Sequence, residues 1–97
     1  MKALLLLIAF TFFLSASQKP LEKVSVVLVW LDQFQFAGYY MAKEKGFYAD
    51  AGLEVEIKKF NYLTNVVDEV LDGRATYGVG RSSLIKLRAE GKKVVLL

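Results

Sequence analysis

The sequence of 97 residues has no cysteine and no histidine, and only one proline. Without cysteine there are no disulfides, no thiolate nucleophile and no cysteine lipid anchor, so an exported form must rest on its apolar core. Without histidine, neither a Ser-His-Asp nor a Cys-His catalytic set can be assembled from this chain. The ligand sets typical of zinc sites are missing for the same reason. Charge of one sign is also scarce. Thirteen basic and ten acidic side chains leave a formal net charge of +3, and no basic block is longer than two residues. A nucleic-acid partner demands a clustered basic face, which this chain does not offer.

There is one long hydrophobic run. Residues 3–14, "ALLLLIAFTFFL", follow the basic start Met1-Lys2 and precede the small residues "SAS" at 15–17. This is the layout of a secretory signal peptide over residues 1–17, cleaved near Ser17 or Gln18. A spanning helix needs about 20 apolar residues, so the run is short for a membrane anchor, with an uncleaved signal-anchor as the alternative. The expected location is periplasmic or otherwise extracytoplasmic, with the membrane met only through export. About eighty residues then remain for folding, which makes a small domain with a marginal core.

Residues 18–23, "QKPLEK", form a polar leader that carries the only proline. "VSVVLVWL" at 24–31 is a β-branched run suited to a central strand buried on both faces. Residues 36–46 have helical character and end at Gly46, and "FYADAG" forms a connector with Gly52 as its turn. "LEVEI" at 53–57 alternates apolar and acidic residues, as a strand with one exposed face does. "TNVVDEVLDG" at 64–73 predicts a helix capped by Thr64 or Asn65, with Asp68 and Glu69 near its positive end. "ATYGVG" at 75–80 predicts a short strand. "SSLIKLRAEG" at 82–91 predicts a helix capped by Ser82 or Ser83, and "KKVVLL" a fourth strand. The order β-α-β-α-β-α-β specifies an α/β fold on a parallel sheet. A covered sheet does not ordinarily stop within a buried strand, so the sequence predicts that these residues open a longer protein.

In open α/β sheets, ligands bind beyond the carboxyl ends of the strands. Two turns reach that edge. The first, "WLDQFQFAGYY" at 30–40, combines the flat rings of Trp30, Phe34, Phe36, Tyr39 and Tyr40 with the amides of Gln33 and Gln35. Aromatic walls with a few polar groups are the usual make-up of a small-molecule pocket. Phe36 and Tyr40 lie one helical turn apart, so at least one of them packs on the sheet. Asp32 has the character of a turn or cap residue. The second turn, "GVGRSS" at 78–83, offers glycines for close backbone approach, the charge of Arg81, and the hydroxyls of Ser82 and Ser83 at a helix start. It lacks the spacing of a phosphate loop. Glu54 and Glu56 have no proton-transfer partner nearby and mark an exposed face.

"WLDQFQFAGYYMAKEKGFYADAGLEVEI" followed by "VVDEVLDGRATYGVGRSSL" resembles the start of a periplasmic-binding-protein family. That family includes thiamine-pyrimidine-precursor binding proteins, the related fungal thiamine pyrimidine synthases and alkylsulfonate-type binding proteins. The resemblance covers residues 23–97. It implies two α/β lobes around a ligand cleft, of the type II binding-protein fold, with residues 24–97 forming the N-terminal part of the first lobe. It also implies that Trp30, Gln33 and Phe34 line the cleft, that Tyr39 and Tyr40 begin the first helix beside it, and that Gly80, Arg81 and Ser82 meet the ligand from the second turn, next to Ser83.

The fungal synthases consume an active-site His and a pyridoxal phosphate held on a Lys. At the matching positions this chain has Leu84 and Gly80, and it has no counterpart of the synthase's Cys-rich iron motif. The resemblance therefore implies a binder rather than an enzyme, with no catalytic residue, metal or cofactor. The expected ligand is a small, flat or heteroaromatic solute, and the expected partner is an ABC-transporter permease. Two alternatives remain at this level. One is an extracytoplasmic sensor module fused to a kinase or cyclase output. The other is a synthase-like enzyme of thiamine biosynthesis.

Overall fold

A computed structural model describes residues 19–97. The expected signal peptide over 1–17 lies outside the described residues. The first element is a strand, β1 (Glu22–Val27). It begins inside the expected leader and ends earlier than the apolar run suggests. The Leu28 N–H still donates to the Lys58 carbonyl at 3.0 Å, and Leu28 is fully buried. Past Leu28 the neighbouring strands supply no further partners, so Val29 to Asp32 form a bend.

A 3-10 turn (Phe34–Phe36) leads without interruption into α1 (Ala37–Glu44). Gly46, at φ 76°, takes a left-handed conformation open to glycine and ends that helix. The connector expected over "FYADAG" contains a single helical turn instead, α2 (Phe47–Asp50). Gly46 lets the chain restart as helix at once, with the Asp50 N–H donating to the Gly46 carbonyl. β2 (Leu53–Lys58) follows.

The next helix, α3 (Val66–Leu71), is capped as expected by Asn65, whose side chain accepts from the N–H groups of Val67 and Asp68. β3 is only two residues long (Tyr77–Gly78), and α4 (Leu84–Ala89) completes the described elements. Ser83 stands at the N-cap of α4 but is itself helical in backbone and makes no side-chain cap bond. The hydroxyl cap expected there from Ser82 or Ser83 is not formed. The turn closes instead through backbone bonds, Leu84 to Arg81 and Ile85 to Ser82.

The sheet is parallel throughout, in the order β2-β1-β3. Register pairs Val24 with Val55, and Val26 with both Ile57 and Tyr77. Laterally paired residues share a face. One face is therefore apolar, with Val24, Val26, Val55, Ile57 and Tyr77. The other carries Ser25, Val27, Glu54, Glu56, Lys58 and Gly78, and the exposed Glu54 and Glu56 fulfil the alternation in the sequence. α3 packs on this second face. A Cβ at Gly78 would meet side chains of Val66 and Val70 from α3 and of Val27 from β1. The core is small: Val26, Val27, Leu28, Phe36, Val55, Ala75 and Val94 are its buried apolar residues.

The fourth strand expected over "KKVVLL" is not formed among the described residues. A strand needs a ladder partner, and these residues have none. Val94 is buried and its carbonyl accepts from the Arg88 guanidinium, so the segment is tied to α4 rather than added to the sheet. The fold class is α/β on a parallel sheet, consistent with part of a type II binding-protein lobe.

Candidate functional site

β1 is followed in sequence by β2 on one side and pairs with β3 on the other. The strand order thus reverses at β1, and the crevice beyond its carboxyl end is where open α/β sheets take ligands. Both turns singled out in the sequence leave the sheet there. The Val79 N–H donates to the Val27 carbonyl at 3.0 Å, which holds the second turn beside the exit of β1.

The rings of the first turn divide into different roles. Phe36 is 2% exposed and belongs to the core. Tyr39 lies against it, with ring centroids 6.5 Å apart. Tyr40 turns its hydroxyl to Asp32 Oδ1 at 2.5 Å. Phe34 is 93% exposed. Gln33 and Gln35 are exposed as well. Trp30 leaves this group and joins two rings from the loop after β2: Phe60 at 5.3 Å, tilted by 32°, and Tyr62 at 6.2 Å, edge-on at 79°. Phe60 and Tyr62 touch each other edge-on at 5.1 Å. Trp30 is 37% exposed and Tyr62 74%, so the cluster opens to solvent at the carboxyl edge.

Sequence reasoning missed Phe60 and Tyr62. The available signal was their place directly beyond the carboxyl end of a strand, at alternate positions around a polar Asn61.

Asp32 joins the two loops. It accepts from Tyr40 and pairs with Lys59 Nζ at 3.0 Å. The Tyr40 hydroxyl and the Lys59 ammonium hold its carboxyl below the usual carboxylate range. The hydrogen bond it donates to Asp32 pushes the Tyr40 phenol up to about 12, because ionising it would lose that bond and place two negative charges side by side. Asp32 is more than the local turn residue expected, since it fixes helix α1 and the loop after β2 to one point.

The second turn borders a different space. A cavity of about 630 Å³ is walled by residues of β1, β2, β3, α3 and the start of α4, and Tyr39, Gly80, Arg81 and Ser82 are among its walls. Trp30, Gln33, Phe34, Tyr40 and Ser83 do not line it. Of the expected site residues, Trp30 therefore sits in the aromatic cluster and Tyr39, Gly80, Arg81 and Ser82 line the cavity, while Gln33, Phe34, Tyr40 and Ser83 belong to neither. The two glycines of the second turn also have packing reasons. A Cβ at Gly80 would stand 2.1 Å from Leu84 Cδ1, and one at Gly78 would stand 2.6 Å from Val66 Cγ1.

This crowding bears on the cofactor chemistry that the synthase resemblance raises. At the position matching the synthase Lys stands Gly80, and a side chain there would meet the flexible end of Leu84. Leu84 itself stands at the position of the synthase His. Neither residue supplies the amine that holds a pyridoxal phosphate or the imidazole that the synthase consumes. Among the described residues no cluster of His, Cys, Asp and Glu is arranged to hold a metal. Among them, too, no helix is long and apolar enough to cross a membrane.

A family profile described as "NMT1/THI5 like" matches residues 33–97. Riboflavin-binding protein RibY of Chloroflexus aurantiacus is 38% identical over 61 residues, which is 63% of this chain and 16% of that protein. No solved structure matches.

Proposed function

The chain belongs to the NMT1/THI5-like family, and on that premise we propose that it forms part of the cleft of an extracytoplasmic solute-binding protein for a small, flat heteroaromatic solute. One observation carries this reading: the solvent-open cluster of Trp30, Phe60 and Tyr62 at the carboxyl edge of the sheet, beside the point where strand order reverses. Affinity would come from ring stacking. Polar contacts would come from Gln33, Tyr39, Tyr40 and the second turn, Gly80 to Ser83, with Phe34 at the rim. Closure of a second lobe would exclude water.

Two ligand chemistries fit the wall. One is a pyrimidine of the thiamine-precursor type; the other is an isoalloxazine, by analogy with the relative named a riboflavin-binding protein. Binding without turnover is favoured over synthase chemistry by Gly80 and Leu84 standing where the synthase has its Lys and His. The signal-like leader supports export. The partner is then a transporter permease, with a fused signalling domain as the competing arrangement. The intact mass of the native protein in periplasmic and membrane fractions separates these two.

Trp30 is the only tryptophan, so its emission is a direct reporter. Titration of the purified protein with riboflavin and with hydroxymethylpyrimidine should give saturable quenching by at least one of them. By calorimetry, Trp30→Ala should weaken that binding by about tenfold or more with the circular dichroism spectrum unchanged. Unaltered affinity in the variant, or no binding of either compound, refutes the assignment.

A further inference from the structure

The cavity beside the second turn has walls of one dominant chemistry. Val24, Val26 and Val55 from the sheet, Val66 and Val70 from α3, and Leu84 from α4 make it apolar. Arg81 is the only charged side chain on its border, and no acidic side chain stands there with it. Its state differs from that of the other two arginines. Arg74 pairs with Glu69 and Asp72, and Arg88 donates to the Val94 carbonyl. Among the described residues Arg81 has neither an ion pair nor a side-chain hydrogen bond. The hydroxyls on the same wall divide in the same way. Ser25 and Thr76 each accept from the other's N–H, whereas the Ser82 hydroxyl has no such partner among the described residues.

The backbone that carries these groups is held in place. The Val79 N–H donates to Val27 and the Leu84 N–H to the Arg81 carbonyl, both at 3.0 Å. A guanidinium offers five donors, accepts nothing and keeps its charge. A neutral body filling the cavity against it would strip its water and return no acceptor. An oxyanion on that body would return one, and the apolar walls would strengthen the pairing by excluding water. We infer that Arg81, with Ser82 beside it, is a specificity residue for an anionic group, so that the solute is an apolar or flat body bearing an oxyanion rather than a neutral molecule. This inference rests on the solute-binding reading above and deepens it.

The test uses the whole protein and two pairs of probes that differ only in charge: riboflavin with its 5′-phosphate, and hydroxymethylpyrimidine with its phosphate ester. Inorganic phosphate serves as the bare ion. Arg81→Gln, Arg81→Lys and Lys92→Gln are compared with the unaltered protein by calorimetry. Lys92→Gln removes an equal charge away from the cavity wall. Thermal melting and circular dichroism confirm folding, which an exposed side chain without partners does not support. In at least one pair the phosphorylated member should bind about tenfold or more tightly than the neutral one. Arg81→Gln should lower that member's affinity by about tenfold and the neutral member's by less than about threefold. Arg81→Lys should retain part of the preference, and Lys92→Gln should keep it.

Equal affinity within both pairs overturns the inference and leaves the solute-binding reading intact. So does a preference that survives Arg81→Gln or disappears in Lys92→Gln. Inorganic phosphate binding as tightly as the phosphorylated probes marks an adventitious ion only and overturns it as well. Binding of none of the four organic probes overturns both readings.

Discussion

The Tyr40 hydroxyl donates to Asp32 across 2.5 Å, joining the first helix to the bend that carries Trp30. The same carboxylate holds Lys59 from the following loop. Its consequence at high pH has a definite sign. The folded phenol titrates near 12, above its ordinary value of 10.0. Between these values the unfolded chain loses its proton first, so the contribution is complete below the unfolded value and is lost as pH rises through the folded one. In an ultraviolet titration of phenolate absorbance, Tyr40→Phe should remove a late-ionising tyrosine. An unchanged curve at its alkaline end would show that the contact does not persist in solution.

An opposite dependence is expected from Glu69. It accepts from Arg74 Nε at 2.7 Å and from Lys58 Nζ at 3.2 Å, linking β2, α3 and the turn into β3. Arg74 first, and Lys58 with it, hold the carboxyl below its usual range. A depressed carboxyl stabilises the fold above its unfolded pKa, and the effect is lost as pH falls through the folded value. Acid melting curves should therefore steepen below the ordinary carboxylate range. Glu69→Gln should flatten that acid limb while lowering Tm at neutral pH.

Gly78→Ala tests the packing of α3 on the sheet. The new methyl would overlap Val66 and crowd Val70, both β-branched and stiff on a helix. Overpacking of this kind costs about 1–3 kcal/mol. Adding Val66→Ala should recover part of the loss in urea unfolding, because it vacates the contested space. No recovery would place the strain elsewhere.

Asn65→Ala removes the side chain that accepts from Val67 and Asp68. A cap of this kind is worth about 1 kcal/mol, a large fraction of what a six-residue helix can contribute by itself. Asn65→Asp should restore the cap and retain most of the stability in the same denaturation assay.

These contrasts show which features the sequence makes legible. Asn65, Gly46 and the acidic alternation of Glu54 and Glu56 are local signals, and each appears in the structure as read. The fourth strand failed because β-branched composition at Val94 and Val95 states a preference, while a ladder requires a neighbour. The single turn at Phe47–Asp50 was hidden because its positive-φ glycine ends one helix and starts another. Within the candidate site, helical spacing required that Phe36 or Tyr40 pack inward, and Phe36 is the one buried. The departure of Trp30 to meet Phe60 did not, since that contact depends on the register of β1 against β2.

The strand order has a kinetic consequence. β1 is central, yet both of its neighbours come later in the chain, and its second partner, Tyr77, lies far along the sequence from Val26. Closing such loops costs entropy before any contact offsets it. During synthesis the N-terminal strand must therefore wait, half-paired with β2, until Tyr77 and Gly78 leave the ribosome. In that interval its unpaired flank is open to other chains. The reciprocal bonds between Ser25 and Thr76, each backbone N–H meeting the other's hydroxyl oxygen, then extend the two-residue pairing of β3 by one position.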